Sequence, residues 1–209
     1  MNVSLKRIGV LVSGGGTNLQ SLIDAVAGRK LRAEIGVVIS NKPGAYALER
    51  AARHGIPAVV IDNRDYPTVD DFSRAILNCL VKQQIDLVCL AGFLRILGPC
   101  VPAQFPNRIL NIHPALLPAF GGKGMYGHHV HEAVLASGVK FSGATVHLVT
   151  AATDVGPIVA QDLVTVTDQD TPESLAAKVL DVEHRLYPQA VQLVLEERIT
   201  IEGLRVKLK

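Results

Sequence analysis

Asn111-Ile112-His113-Pro114-Ala115-Leu116-Leu117-Pro118 follows an apolar run, and Asp154-Val155-Gly156-Pro157 comes later in the chain. Asn111 and His113 stand two apart, so on an extended segment they point to the same side. The asparagine offers a neutral hydrogen-bond donor. The histidine carries a proton near neutral pH. A carboxylate from a distant loop would complete an acyl-transfer site. One group holds the carbonyl oxygen, one handles protons, and one tunes the second.

A second candidate lies near the other end. Ser13-Gly14-Gly15-Gly16-Thr17-Asn18 follows a short apolar run and opens a helical pattern. Backbone N–H groups at a helix start make an anion site, and glycines let a ligand approach the backbone closely. The pattern is neither G-x-x-x-x-G-K-[ST] nor G-x-G-x-x-G, which disfavours a P-loop NTPase or a dinucleotide enzyme.

Alternating elements must carry these residues. Strands are expected over 7–12, 33–39, 58–61, 86–91 and 109–112, the last delivering Asn111 and His113. Helical periodicity runs over 18–27, 46–54 (closed by Gly55), 70–83 and 128–137, with a short turn at 102–105. This βα alternation predicts a mostly parallel sheet with helices on both faces. The tail differs: 143–149 and 157–166 read as two longer antiparallel strands joined through the Asp154 loop. Thr171-Pro172 then opens a helix, with Thr171 as cap and Pro172 in the first turn. That helix runs to 186, or to 197 with an interruption at Pro188. One domain over 1–209 is expected: an N-terminal half (1–108) binding a nucleotide, and a C-terminal half (109–209) that closes the cleft.

Bulk composition fits. Apolar residues make up 48% of the 209-residue chain, aromatics only 4%, and tryptophan is absent. The core must be Val, Leu, Ile and Ala, as buried parallel strands prefer. A net charge of +2 gives no argument for nucleic acid or membrane binding. No stretch reaches the ~18 apolar residues of a membrane span, and no leader pattern opens the chain. Cys79, Cys89 and Cys100 show neither paired nor metal spacing, which reads as reduced thiols in a cytoplasmic protein. His128, His129 and His131 lack an acidic or cysteine partner at zinc spacing and read as a solvated helix face, so no metal is expected. His147, in phase with Thr145, is as readily structural as catalytic.

Six segments occur in order: Ser13 to Asn18, Ser40-Asn41-Lys42, Ala91-Gly92-Phe93-Leu94-Arg95-Ile96-Leu97, Asn111 to Pro118, Gly143-Ala144-Thr145-Val146-His147 and Asp154 to Pro157, with Glu183-His184 and Tyr187-Pro188 after them. In these the chain resembles the phosphoribosylglycinamide formyltransferases, the folate-dependent glycinamide ribonucleotide transformylases of purine biosynthesis. The resemblance covers 7 to about 203. It implies a Rossmann-like formyltransferase fold with a C-terminal antiparallel extension. It implies transfer of the formyl group of 10-formyltetrahydrofolate, a cosubstrate, to the amine of glycinamide ribonucleotide. Gly16, Thr17 and Asn18 would hold the ribonucleotide phosphate, and Glu183 its ribose or glycinamide end. Leu94, Arg95, Ile96 and Leu97 would line the pterin pocket, and Thr150, Ala151, Ala152, Thr153 and Asp154 would form the folate loop. Asn111, His113 and Asp154 would be catalytic. Partners are these two small molecules, with neither nucleic acid nor membrane, and a homodimer is left open. Asp154 beside His113 should raise its pKa by favouring the charged ring. Relatives also resemble one another in a cis bond before Pro118. The segment from Gly121 to Gly127 is richer in glycine than the Pro-Gly version of many relatives and is expected to be a mobile loop.

Overall fold

The computed structural model describes residues 5–150 and 152–209. Two compact units divide after Leu110. The first alternates β1 (Lys6–Val12), α1 (Thr17–Ala27), β2 (Ala33–Ser40), α2 (Tyr46–Arg53), β3 (Ala58–Val60), α3 (Val69–Lys82), β4 (Leu87–Leu90) and the short α4 (Cys100–Gln104). β5 (Ile109–His113) begins at its end. β1 pairs in parallel with both β2 and β4, Val10 lying opposite Val38 on one side and Cys89 on the other. Five successive residues of β1, Gly9 among them, are fully buried. Successive strand side chains point to opposite faces, so β1 is covered on both, which explains its unbroken apolar run.

The second unit carries α5 (His128–Ser137), β6 (Phe141–Leu148), β7 (Ile158–Thr165), α6 (Pro172–Leu195), β8 (Ile199–Glu202) and β9 (Arg205–Leu208). Strand order in the main sheet is β3-β2-β1-β4-β5-β6-β7. β6 and β7 are antiparallel, and their register slips between Val146 and His147. The extra residue falls in β7, so that strand carries the bulge, opposite His147. β7 alternates half-buried with exposed positions along its second half, as an edge strand with one open face does.

Thr171 caps α6 in a capping box closed by Ser174, with Pro172 in the first turn. The helix continues through Pro188 without a break, because Tyr187, Ala190 and Val191 bury its apolar side and offset the lost N–H. Two features lie outside the sequence expectation: a 3-10 turn at Asn63–Asp65 and the two-stranded sheet of β8 and β9. The Leu117–Pro118 peptide is cis.

One buried hydroxyl fixes the chain as it leaves β5. Thr145 Oγ1 donates to the Ala115 carbonyl at 2.6 Å and accepts the Leu117 N–H at 3.0 Å. Gln161 Nε2 donates to the same hydroxyl and to the Leu117 carbonyl, both at 2.9 Å. Thr145→Val keeps the shape and strands buried backbone groups, at about 1–3 kcal/mol per group. Chemical denaturation should show the valine variant destabilised by about that amount and Thr145→Ser close to wild type.

Candidate active site

Four side chains of the second unit form one polar cluster. His113, the last residue of β5, is 4% exposed. Its Nε2 lies 2.8 Å from the carbonyl oxygen of Phe120. Its Nδ1 lies 3.8 Å from Asp154 Oδ2. The other carboxylate oxygen, Oδ1, lies 3.6 Å from His147 Nε2. His147 Nε2 is in turn 3.1 Å from Asn111 Nδ2. The sequence motif therefore brings Asn111, His113 and Asp154 together, with His147 as the link between the amide and the carboxylate.

Asn111 Nδ2 carries two hydrogens. When one is donated to His147, whose Nδ1 then donates to the Leu148 carbonyl at 3.1 Å, the second remains for a ligand oxygen. Asp154 has a left-handed backbone, φ +57°. Its Oδ2 accepts the Gly122 N–H at 2.9 Å.

Charge in the cluster departs from the sequence expectation. Burial, the largest influence, pushes the His113 pKa below its ordinary 6.5, while the Phe120 carbonyl and Asp154 pull it upward and lose. The carboxylate does favour the charged ring, as expected, but desolvation outweighs it and the resting ring is neutral. For Asp154, burial is again the largest influence and pushes upward. The His147 contact, the Gly122 N–H and the nearby His113 together hold the carboxyl below 3.8.

The segment expected to be a mobile loop takes part: Gly122 holds Asp154, and Phe120 just before it holds His113. Nothing in the pattern of glycines marks that role, which depends on two backbone groups. The histidines of α5 also divide. His128 and His129 are exposed beside Glu132, whereas His131 is buried, against the expectation of a solvated face. The helix turns it inward one turn after His128, beside Val130 and Val134.

In the first unit the glycine turn behaves as two parts. Gly16 caps α1 at φ +71°, and a β-carbon there would come within 2.6 Å of Ala47 Cβ, so glycine is required. Gly14 and Gly15 face open space. They line a cavity of about 580 Å³ with Lys42, Tyr46, Arg64 and Arg95. Gly16, the N-cap of α1, has no side chain to cap it, which leaves the helix's N-terminal dipole for an anion. Arg50 steadies the turn by donating to the Gly15 carbonyl at 2.8 Å. Buried Ser13 joins it to the 94–97 segment: its hydroxyl accepts the Leu94 N–H at 2.8 Å and donates to Asn41 Oδ1 at 2.6 Å. The hydrogen-bonded Arg64 guanidinium holds the Asp62 carboxyl down to about 2, so Asp62 cancels part of the cationic lining.

The remaining expected residues are placed as follows. Asn18 is buried and Thr17 half-buried at the start of α1. Leu94 and Ile96 are exposed apolar side chains beside exposed Arg95, and Leu97 is half-buried. Glu183 is buried on α6. Thr150, Ala152 and Thr153 are exposed, while Ala151 lies outside the described residues. Among the described residues no group of three or more His, Cys, Asp or Glu side chains could hold a metal ion.

Residues 6–191 match the formyl transferase family model. The crystal structure of glycinamide ribonucleotide transformylase 1 from Symbiobacterium toebii is 46% identical and superimposes with a TM-score of 0.93, covering 98% of this chain and 94% of that one. The chloroplastic phosphoribosylglycinamide formyltransferase of Arabidopsis thaliana is 43% identical over 195 residues, 93% of this chain and 67% of that protein. The trifunctional purine biosynthetic protein adenosine-3 of Chironomus tentans is 43% identical over 196 residues, 93% of this chain but only 14% of that protein's length.

Two depressed pKa values set a pH signature. His113 is lowered from 6.5 and Asp154 from 3.8, so in both cases the unfolded chain takes the proton first as pH falls. Stability is complete above 6.5, falls as pH drops below it, and falls again below 3.8. Urea denaturation at stepped pH should show both stages. His113→Gln should shrink the upper one, leaving the part due to His131, which burial also lowers. Asp154→Asn should shrink the lower one.

Proposed function

The chain belongs to the formyl transferase family, and from that premise we propose that it transfers the formyl group of 10-formyltetrahydrofolate to the amine of glycinamide ribonucleotide, giving the formylated ribonucleotide of purine biosynthesis. The observation that carries the reading is the buried cluster of Asn111, His147, Asp154 and His113. Formyl transfer needs a donor for a developing oxyanion and a proton carrier, and the cluster has both.

The amine attacks the formyl carbon and a tetrahedral centre forms with a negative oxygen. The second N–H of Asn111 donates to that oxygen. Neutral His113 accepts the proton the amine sheds and returns it to the departing folate nitrogen. Asp154 stabilises the imidazolium between those steps. A neutral resting ring suits a base, so the depressed His113 pKa supports this order of events.

Substrate contacts follow from the same reading. Gly16, Thr17 and Asn18 hold the ribonucleotide phosphate at the α1 N-terminus, and Glu183 binds its ribose or glycinamide end. Leu94, Arg95, Ile96 and Leu97 receive the pterin, with exposed Leu94 and Ile96 as apolar cover. Thr150 to Asp154 form the folate loop. The reaction calls for small-molecule partners alone, and free cysteines suit a cytoplasmic setting. No helix among the described residues is long and apolar enough to cross a membrane.

Formyl transfer from 10-formyltetrahydrofolate, with glycinamide ribonucleotide, water and methionyl-tRNA as competing acceptors, tests the assignment; transfer to the ribonucleotide should dominate, and dominance of either competitor refutes it. Asn111→Ala should lower kcat by about 10²–10³ with KM less affected. Gly15→Val, at a turn position where a side chain meets nothing within 4 Å, should raise KM for the ribonucleotide far more than for the folate; equal effects count against the phosphate assignment.

A further inference from the structure

His113 has two ring nitrogens, and the chain treats them differently. Nε2 lies 2.8 Å from the Phe120 carbonyl oxygen, which can only accept a hydrogen bond. Nε2 therefore carries hydrogen whether the ring is neutral or charged. In the neutral ring the lone pair must then be on Nδ1. Nδ1 is 3.8 Å from Asp154 Oδ2, too far for a hydrogen bond. Two groups at that separation can share one polar atom, at about 2.9 Å from each.

The groups that enforce this arrangement are consecutive. Phe120 supplies the carbonyl and sits at φ +56°, a left-handed backbone unusual for a bulky residue. Gly122 supplies the N–H that holds Asp154 Oδ2. Gly121, between them, passes so close that a β-carbon would come within 2.5 Å of Leu117 Cδ2 and 3.2 Å of Asp154 Cβ. Backbone strain of this kind, of order 1–3 kcal/mol per residue, persists where the surroundings hold it and clusters at working sites.

We propose that Phe120-Gly121-Gly122 is a positioning strap that assigns His113 its working nitrogen: Nε2 stays bound to the Phe120 carbonyl throughout, and Nδ1 takes and returns the proton beside Asp154. The inference rests on the formyl-transfer reading. As the amine nitrogen bonds to the formyl carbon, the carbonyl electron pair moves to oxygen. The surplus amine proton passes to Nδ1. The oxygen pair then re-forms the carbonyl, the bond to the folate nitrogen breaks with its pair on that nitrogen, and the Nδ1 proton follows it there. The ring ends neutral, with Nε2–H undisturbed. Gly121 and Gly122 act through His113 and Asp154 and are positioning residues.

The test is nitrogen NMR of the full chain labelled with ¹⁵N-histidine, at a pH where His113 is neutral, assigned by its loss in His113→Gln. A protonated, pyrrole-like Nε2 and a bare, pyridine-like Nδ1 are expected. A protonated Nδ1 with a bare Nε2 would overturn the proposal, even with formyl transfer to glycinamide ribonucleotide intact. A correct tautomer in a protein that does not formylate the ribonucleotide would instead remove the reading beneath it. Gly121→Ala should mix the two tautomers and lower kcat about tenfold or more, with both KM values within about twofold, as expected for misplaced groups. Wild-type tautomer and wild-type kcat in a folded Gly121→Ala protein would show that the strap positions nothing. Should that variant not fold, the wild-type spectrum still decides which nitrogen works.

Discussion

One carboxylate stands between two buried imidazoles, and the site depends on it. Asp154 is 11% exposed, with His113 at 3.8 Å on one oxygen and His147 at 3.6 Å on the other. A buried carboxylate is costly unless its oxygens are bonded. The Gly122 N–H meets that requirement at Oδ2, with the two rings packed against the carboxylate beyond hydrogen-bond distance. Removing any of them leaves the others with a poorly solvated charge, so the pieces are interdependent. The same burial that makes the carboxylate costly keeps His113 neutral at rest. Two opposed influences thus set a ring that is neutral at rest and that Asp154 stabilises once it takes a proton.

Much of this was legible in the residues. Period-two spacing placed Asn111 and His113 on one side of β5, and glycines and caps marked most element ends. Thr171 and Pro172 announced α6 because capping chemistry is local. What stayed hidden is non-local or belongs to the backbone. The β7 bulge opposite His147 arises from a register slip between two strands. The Phe120 carbonyl and the Gly122 N–H carry no side-chain signature. His131 looked like its exposed neighbours, since three clustered histidines give no clue to which faces inward. The direction of the His113 pKa was misread for a related reason: the carboxylate is visible in sequence, and the depth of burial is not. The β8–β9 hairpin has only four-residue strands, too short for alternation to stand out.

In the first unit the glycine-rich turn shows how one motif divides its labour. Gly16 is there because Ala47 and a left-handed backbone leave no alternative. Gly14 and Gly15 leave open space where a ligand can approach the chain. Ser13, buried beneath them, links the turn to Leu94 and Asn41 through a single hydroxyl. A sequence reading sees three glycines in a row; the structure separates the one that folding demands from the two that binding can use.

The most direct measurement is the His113 pKa, by NMR titration, in the wild-type chain and in Asp154→Asn. Burial should hold the wild-type value below the ordinary 6.5. Loss of the carboxylate should lower it further, because the charged ring loses its one stabilising anion while its burial is unchanged. A His113 pKa that stays the same or rises in Asp154→Asn would contradict the account, since Asp154 would then not be the group that stabilises the protonated ring.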